Sequence, residues 1–111
     1  MLLVVCLCAQ WCGSCRDYLP LFELEAKSFA GRARFASVDI EDDEDVLGTI
    51  DIDTFPTLLI ARGDDVVFFG GVTPHAGTLR RLVESALEGG LGAMPDARLE
   101  PLLDRVRAAL D

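Results

Sequence analysis

The sequence predicts one α/β domain built on a mixed sheet of four strands. An apolar, β-prone run at 2–8 is typical of a strand that is buried on both faces. Alternating stretches of helical and strand character follow it, and half of the 111 residues are hydrophobic, which suits one packed core. The further elements are helices at 12–29, 74–87 and 96–110 and strands at 34–40, 57–61 and 66–69.

Residues 12–29 predict a helix because their apolar positions recur at helical spacing. Pro20 lies inside this helix and is expected to kink it, since proline removes a backbone donor and crowds the preceding turn. Gly31 follows as the expected C-cap. The strand at 34–40 should then run parallel to the first, because a helix joins the two in a right-handed crossover.

An acidic run at 41–45 predicts the first turn of a short helix, where carboxylates suit the positive end of the helix dipole. A cation site is the other interpretation, but contiguous acids point in different directions around a helix. Residues 62–65 predict a hairpin turn between the next two strands. Gly70 and Gly71 mark a bulge or the end of a strand.

Glycines break the chain after the helix at 74–87, and a final amphipathic helix is predicted at 96–110. Pro101 falls near its first turn, where proline is tolerated. We therefore predict a principal domain at 1–90 and a C-terminal helical extension at 91–111 that packs on the same domain.

The chemistry centres on Cys12 and Cys15, a Cys-x-x-Cys pair shortly after the first strand. Two thiols at this spacing can close a disulfide only where the chain turns tightly, and a helix start supplies that turn. Unpaired N–H groups and the positive dipole end stabilise a thiolate there, so Cys12 is expected to be nucleophilic near neutral pH. The pattern indicates a site of dithiol–disulfide exchange.

All four cysteines lie between Cys6 and Cys15, whereas a secreted disulfide scaffold spreads its cysteines along the chain. Cys6 and Cys8 are two apart on a strand and so share a face. They are interpreted as small core residues. The alternatives are a second thiol pair that exchanges with Cys15, and a zinc or iron–sulfur site built from all four thiolates. We predict no metal and no cofactor.

The net charge of −9 disfavours nucleic acid and anionic membranes as partners. The apolar run at 2–8 has no basic residues before it and lies at the short limit for the core of a signal peptide. It is also too short to span a bilayer. A buried strand and a cytoplasmic location are therefore expected.

Several motifs occur at mutually consistent spacings. The run Trp11-Cys12-Gly13-Ser14-Cys15 precedes Pro20, and Phe55-Pro56-Thr57 precedes Gly71. Together they resemble the thioredoxin superfamily over residues 2 to 88. The first run differs at one position from the family's active site, Trp-Cys-Gly-Pro-Cys, and Pro20 matches the proline that kinks the family's helix. Phe55-Pro56-Thr57 matches the loop where a cis-proline faces the dithiol, and Gly71 matches the glycine after the last strand. The resemblance implies a three-layer α/β/α fold.

The resemblance also implies the reduction of protein disulfides. Cys12 would attack a substrate disulfide to form a mixed disulfide, and Cys15 would then attack Cys12 and release the reduced substrate. Pro56 in cis would present backbone groups that bind the substrate chain as an added strand, with Trp11 at the rim. The implied substrate-binding positions are Trp11, Gly13, Ser14, Phe55, Pro56 and Gly71. The implied electron donor is a thioredoxin reductase or glutathione.

The chain departs from the family pattern in several places. Compared with the family pattern, the sequence is expected to fold without the family's first strand and helix, and the helix at 96–110 is an addition. Cys6 aligns with the family's buried acid and Ser37 with its partner lysine. A buried thiol is a poor proton acceptor, so we predict slower resolution of mixed disulfides. Ser14 restores an N–H that proline lacks, which favours the thiolate and makes the pair somewhat more oxidising.

Two interpretations stay open at this point. His75, the sole histidine, is either a proton carrier near the dithiol or a surface residue in the first turn of a helix. The function is that of an enzyme that reduces protein disulfides, or alternatively that of a non-catalytic docking module or redox sensor.

Overall fold

The structure, a computed structural model, describes residues 2–9, 12–52 and 54–110. Strands and helices alternate along these ranges in the predicted order. The elements are β1 (Leu2–Cys8), α1 (Gly13–Ser28), β2 (Ala33–Asp39), a 3₁₀ turn (Glu44–Val46), β3 (Thr57–Arg62), β4 (Asp65–Gly71), α2 (Ala76–Leu87) and α3 (Leu99–Leu110). The predicted α/β class is confirmed.

The strands form one mixed sheet in the order β2-β1-β3-β4. β1 runs parallel to β2, as the crossover through α1 predicts, and antiparallel to β3. β3 and β4 form the predicted antiparallel hairpin. Every residue of β1 is buried, which explains why its sequence is apolar throughout rather than alternating.

The two faces of the sheet carry separate apolar clusters, because successive side chains of a strand point to opposite faces. On one face, α1 and α2 pack over Leu2, Val4, Cys6 and Cys8. On the other face, α3 and the 3₁₀ turn pack over Leu3, Val5 and Leu7. The protein is therefore a three-layer α/β/α structure, as predicted.

Several predicted element ends differ from the structure, and α2 begins at Ala76 rather than at residue 74. The C-cap of α1 is Phe29 rather than Gly31, because the Phe29 N–H still bonds to helix carbonyls before the chain turns. Gly31 adopts a φ of 86° two residues further on, a left-handed conformation that glycine takes readily. Pro20 lies inside α1 as predicted. The short helix expected after the acidic run is a single 3₁₀ turn at Glu44–Val46.

Of the two expectations for Gly70 and Gly71, a bulge or the end of a strand, the strand end is confirmed. Gly71 ends β4, but the irregularity in the ladder falls opposite Ile60 and Ala61 rather than at the glycines. The final helix begins at Leu99 rather than at residue 96. Its start is delayed because the Asp96 carboxylate accepts the Arg98 N–H and holds these residues in a turn.

The C-terminal helix α3 is an integral part of the second cluster. Leu99, Leu102, Leu103 and Val106 are buried there. Arg105 donates to the carbonyls of Val46 and Leu47, which ties α3 to the 3₁₀ turn. The division into 1–90 and 91–111 stays a prediction.

Leu103→Ala tests whether α3 carries the stability of this face. Leu103 is 1% exposed, so its truncation leaves a cavity and should lower the free energy of unfolding by about 2–5 kcal/mol. Urea denaturation measures the change. Leu24→Ala is the matched control, because Leu24 is 63% exposed and the same truncation there should change stability by at most about 0.5 kcal/mol. Equal effects of the two substitutions would show that α3 is not packed as described.

Candidate active site

Cys12 is the N-cap residue of α1, with the extended backbone that a helix entry requires (φ −87°, ψ 116°). Its N–H donates to the Ala9 carbonyl over 3.0 Å, which ties the start of α1 to the residue after β1. The Cys12 side chain is half-buried and makes no capping hydrogen bond as a thiol. The first N–H groups of the helix are therefore left to interact with its sulfur.

The helix start lowers the pKa of the Cys12 thiol. The backbone N–H of Cys15 contributes most, and the backbone N–H of Ser14 adds to it. Both groups are donors without a partner in the first turn, and a thiolate satisfies them better than a thiol does. The donor that Ser14 supplies in place of proline thus stabilises the charged form of Cys12.

Cys15 lies one turn deeper and has the opposite electrostatics. It is 1% exposed and packs in the cluster under α1 and α2. Burial raises the pKa of its thiol, and contact with the Cys8 side chain raises it further. All four cysteines are free thiols in the structure. The pair therefore consists of a half-exposed sulfur that favours the thiolate and a buried sulfur that favours the thiol.

Cys6 and Cys8 share one face of β1, as the strand periodicity predicts. Their sulfur atoms lie 3.1 Å apart and both side chains are buried. The contact with Cys6 and then burial raise the pKa of the Cys8 thiol. Cys6 pairs in register with Ser37 on β2, so the two positions that the resemblance aligned with an acid and a lysine are neighbours here. Ser37 is exposed.

The loop before β3 lies against the same cluster as the dithiol. The Phe55–Pro56 peptide bond is cis. Phe55 and Cys12 both pack on the cluster that contains Cys15, and the Pro56 carbonyl accepts the Val72 N–H over 3.1 Å. The Thr57 hydroxyl donates to the Thr54 carbonyl.

Gly71 is required by the close approach of that loop. A Cβ atom at Gly71 would lie 2.8 Å from Cγ2 of Thr54, closer than real contacts allow. Gly13 and Ser14 are exposed at the start of α1, beside Cys12. The structure thus brings Phe55, Pro56 and Gly71 together at one end of the hairpin.

Two predicted site residues are not joined to the dithiol. Trp11 lies outside the described residues. His75 is exposed and is the N-cap residue of α2. Within the described ranges no hydrogen bond or ion pair connects its side chain with a cysteine, so a proton-carrier role has no contact to support it.

Sequence reasoning missed Tyr18 and a cavity beside the buried thiols. The Tyr18 side chain is fully buried, and its hydroxyl finds no hydrogen-bond partner in the part of the chain that the structure describes. Its position three residues after Cys15 places it on the same face of α1, which was a signal available from spacing. A cavity of about 530 Å³ is lined by residues that include Cys8, Cys15, Arg16 and Ser37.

The four thiols do not form a metal site in the structure. Among the described residues, no group of three or more histidine, cysteine, aspartate or glutamate side chains is arranged to hold a metal ion.

This fold and this helix-start dithiol define the thioredoxin-like class of α/β proteins. Residues 1–84 match the family model described as Thioredoxin, and the chain therefore belongs to the thioredoxin family. It is 29% identical over 97 residues to the chloroplastic M-type thioredoxin of Zea mays, which covers 87% of this chain and 46% of that protein.

A bacterial relative and a solved structure agree with this assignment. The thioredoxin of Chlorobaculum thiosulfatiphilum is 34% identical over 59 residues, or 53% of this chain and 55% of that protein. The chain thus spans about half the length of these curated relatives. The germline-specific thioredoxin Deadhead of Drosophila melanogaster superposes with a TM-score of 0.68 at 18% identity, over 76% of this chain and 79% of that one. This likeness supports the fold.

Ser14→Pro tests the origin of the Cys12 electrostatics. Proline removes the backbone donor at residue 14, so the pKa of Cys12 should rise and its alkylation by iodoacetamide should require a higher pH. The pH profile of the alkylation rate measures this shift. Ser14→Ala keeps the backbone N–H but removes the hydroxyl, which also lowers the pKa of Cys12, so its profile should lie between those of Ser14→Pro and the unchanged protein. Identical profiles for the two variants would contradict the assigned role of the Ser14 N–H.

Proposed function

We propose that the protein is a thiol–disulfide oxidoreductase that reduces protein disulfides through Cys12 and Cys15. The observation that carries the proposal is the placement of two thiols at the start of α1, one half-exposed at the N-cap and one buried a turn later, which lowers the pKa of Cys12 and raises that of Cys15. A thiolate is the attacking species in disulfide exchange, and the buried partner stays protonated until it is needed. Membership of the thioredoxin family supports the same activity.

The reaction has two exchange steps. The Cys12 thiolate attacks one sulfur of a substrate disulfide, a mixed disulfide forms, and the other substrate sulfur leaves as a thiolate. Cys15 then loses its proton and attacks Cys12 Sγ. The Cys12–Cys15 disulfide forms, the mixed disulfide breaks, and the substrate leaves reduced by two electrons.

The second step is the slower one in this account. Burial raises the pKa of Cys15, so little of it is thiolate at neutral pH. The neighbouring position on the same face of the central strand is held by Cys6, and a thiol is a weak proton acceptor compared with a carboxylate. We therefore assign the resolution of the mixed disulfide as rate-limiting.

The substrate chain is proposed to lie along the loop before β3. Phe55 and Cys12 pack on the same cluster, and Gly71 leaves the surface beside Thr54 without a side chain. An extended peptide can pair there with the backbone next to Pro56, as chains do at sheet edges. Exposed Gly13 and Ser14 would contact the peptide beside its disulfide, and Trp11 is proposed for the rim.

The proposed partners are disulfide-bearing proteins and an electron donor such as a thioredoxin reductase or glutathione. The net charge of −9 disfavours nucleic acid and anionic membranes. No helix in the described ranges is both long and apolar enough to cross a bilayer. A reducing compartment, proposed as the cytoplasm, suits four free thiols, and the relatives include two chloroplastic proteins.

The second candidate is a docking module that turns over little or no substrate. Cys6 opposite Ser37 favours it, because neither residue can act as an acid–lysine pair that moves a proton off Cys15. A module of this kind would still present the Phe55 and Pro56 surface to a partner.

The reduction of insulin, a disulfide-bearing test protein, with dithiothreitol as electron donor separates the two functions. The proposal expects the protein to accelerate the reaction, and Cys12→Ser to return the rate to the uncatalysed level, because the attacking thiolate is gone. Cys15→Ser keeps Cys12 and should accumulate a mixed disulfide with the substrate, visible by mass spectrometry. Negligible activity that Cys12→Ser leaves unchanged would favour the docking module.

Cys6→Asp tests the proton-transfer argument. A carboxylate beside Cys8 can accept a proton on the path from Cys15, so the mixed disulfide should resolve faster in single-turnover experiments. Cys6→Asn is the matched control, because it has nearly the same shape but cannot take the proton. A rate that is unchanged or lower in Cys6→Asp than in Cys6→Asn would refute the argument.

A further inference from the structure

The four thiols form a chain of contacts from the sheet to the helix surface. Cys6 and Cys8 sulfurs lie 3.1 Å apart on β1. Cys8 interacts with Cys15 of α1, and Cys15 interacts with Cys12 at the helix start. Cys15 therefore has two sulfur neighbours, one toward the surface and one toward the interior.

The geometry of β1 favours Cys8 and Cys15 over Cys6 and Cys8 as the second pair. At about 3.3 Å per residue, two positions of a strand put their Cα atoms about 6.6 Å apart. That distance is near the upper limit for a disulfide, whose Cα atoms usually lie about 5.5–6 Å apart. Cys8 and Cys15 lie on different elements that face each other, so their bond needs no contraction of a strand.

The surroundings of Cys8 and Cys15 leave their sulfurs room to move. Both line the cavity of about 530 Å³, which leaves space that a close-packed core lacks. The buried Tyr18 hydroxyl, which has no partner in the described part of the chain, lies within electrostatic reach of Cys6 and Cys8. Such an O–H group can turn to donate to a thiolate that forms in the same cluster.

We propose that Cys8 is a second exchange partner of Cys15, so that the disulfide formed at Cys12 and Cys15 passes inward to Cys8 and Cys15. This inference extends the proposed exchange reaction by one step within the same chain. Tyr18 would act in it as a positioning residue, its hydroxyl turning toward the Cys8 thiolate as that thiolate forms.

The step balances without a further reactant. Cys8 releases its proton to solvent through the cavity, and its thiolate attacks Cys15 Sγ. The Cys8–Cys15 bond forms, the Cys12–Cys15 bond breaks, and Cys12 leaves with the electron pair as a thiolate. The number of disulfides is unchanged. Cys12 is the better leaving group of the pair because the helix start stabilises its thiolate.

This transfer of the disulfide from Cys12–Cys15 to Cys8–Cys15, here called the relay, regenerates the surface nucleophile in oxidised protein. With its disulfide between Cys8 and Cys15, the protein presents Cys12 again as a free thiolate. Cys12 can then capture a second substrate as a mixed disulfide while the disulfide between Cys8 and Cys15 has not yet been reduced. Without the relay, oxidised protein would carry no thiolate at the surface position.

Oxidation of the Cys12→Ser variant by diamide provides the first half of the test. Chymotryptic cleavage after Leu7, Trp11 and Tyr18 would place Cys8 and Cys15 in different fragments. The proposal expects these two fragments to be joined in monomeric protein, by mass spectrometry without reduction. A bond between Cys6 and Cys8, a bond only between two chains, or free thiols throughout would overturn it.

Alkylation of oxidised unsubstituted protein provides the second half. Iodoacetamide should modify Cys12 in the fraction that carries the Cys8–Cys15 bond. In the matched Cys8→Ala variant this modification should fall to background. Oxidised protein with no alkylated Cys12 would overturn the proposal even if the Cys12→Ser variant forms the bond.

Tyr18→Phe separates the positioning role from packing, because it keeps the ring and removes the hydroxyl. It should slow the formation of the Cys8–Cys15 bond and leave the pH profile of Cys12 alkylation in reduced protein unchanged. An unchanged rate would remove Tyr18 from the proposal. Insulin reduction is measured separately. If the protein reduces insulin but forms no Cys8–Cys15 bond, only the relay is contradicted. If the bond forms but insulin is not reduced, only the reductase function is contradicted.

Discussion

The hydrogen bond from the Cys12 N–H to the Ala9 carbonyl, which fixes the start of α1 against the end of β1, determines where the reactive groups of this protein lie. β1 is buried on both faces between β2 and β3. A register slip of one residue would therefore move each of its side chains to the opposite face of the sheet. The register of the strand therefore fixes the position of Cys12 at the N-cap of α1. The two outer layers hold that position, with α1 and α2 on one face and α3 on the other.

Because the start of α1 is fixed, the sulfur atoms of Cys12 and Cys15 have different surroundings although the two side chains are chemically identical. The Cys12 sulfur interacts with N–H donors and solvent, whereas the Cys15 sulfur, one turn later, is surrounded by an apolar cluster and another thiol. The same burial that protects Cys15 makes its proton difficult to remove, and Cys6 and Ser37 provide no acid or lysine for that task. The chemistry of the site is thus shaped as much by what surrounds the buried sulfur as by the exposed one.

Much of this arrangement was predictable from local sequence signals. The bounds of β1 and the parallel crossover follow from apolar patterning, and the dithiol at the start of α1 follows from its place after a buried strand. Long-range contacts were not predictable. The bidentate ion pair between buried Glu25 and Arg80 joins helices far apart in sequence, and the contact of Cys8 with Cys15 depends on how α1 lies over the sheet. Local side-chain bonds, such as that of Asp96, also moved helix ends.

The most direct test of the central claim is a pH titration of the reduced protein by NMR, with ¹³C at the cysteine Cβ positions. The Cβ shift reports the thiolate at each cysteine separately. The account predicts that Cys12 titrates first, below the ordinary cysteine range, and that Cys15 and Cys8 remain thiols above it. Titration of Cys15 before Cys12, or of both within the ordinary range, would contradict the account.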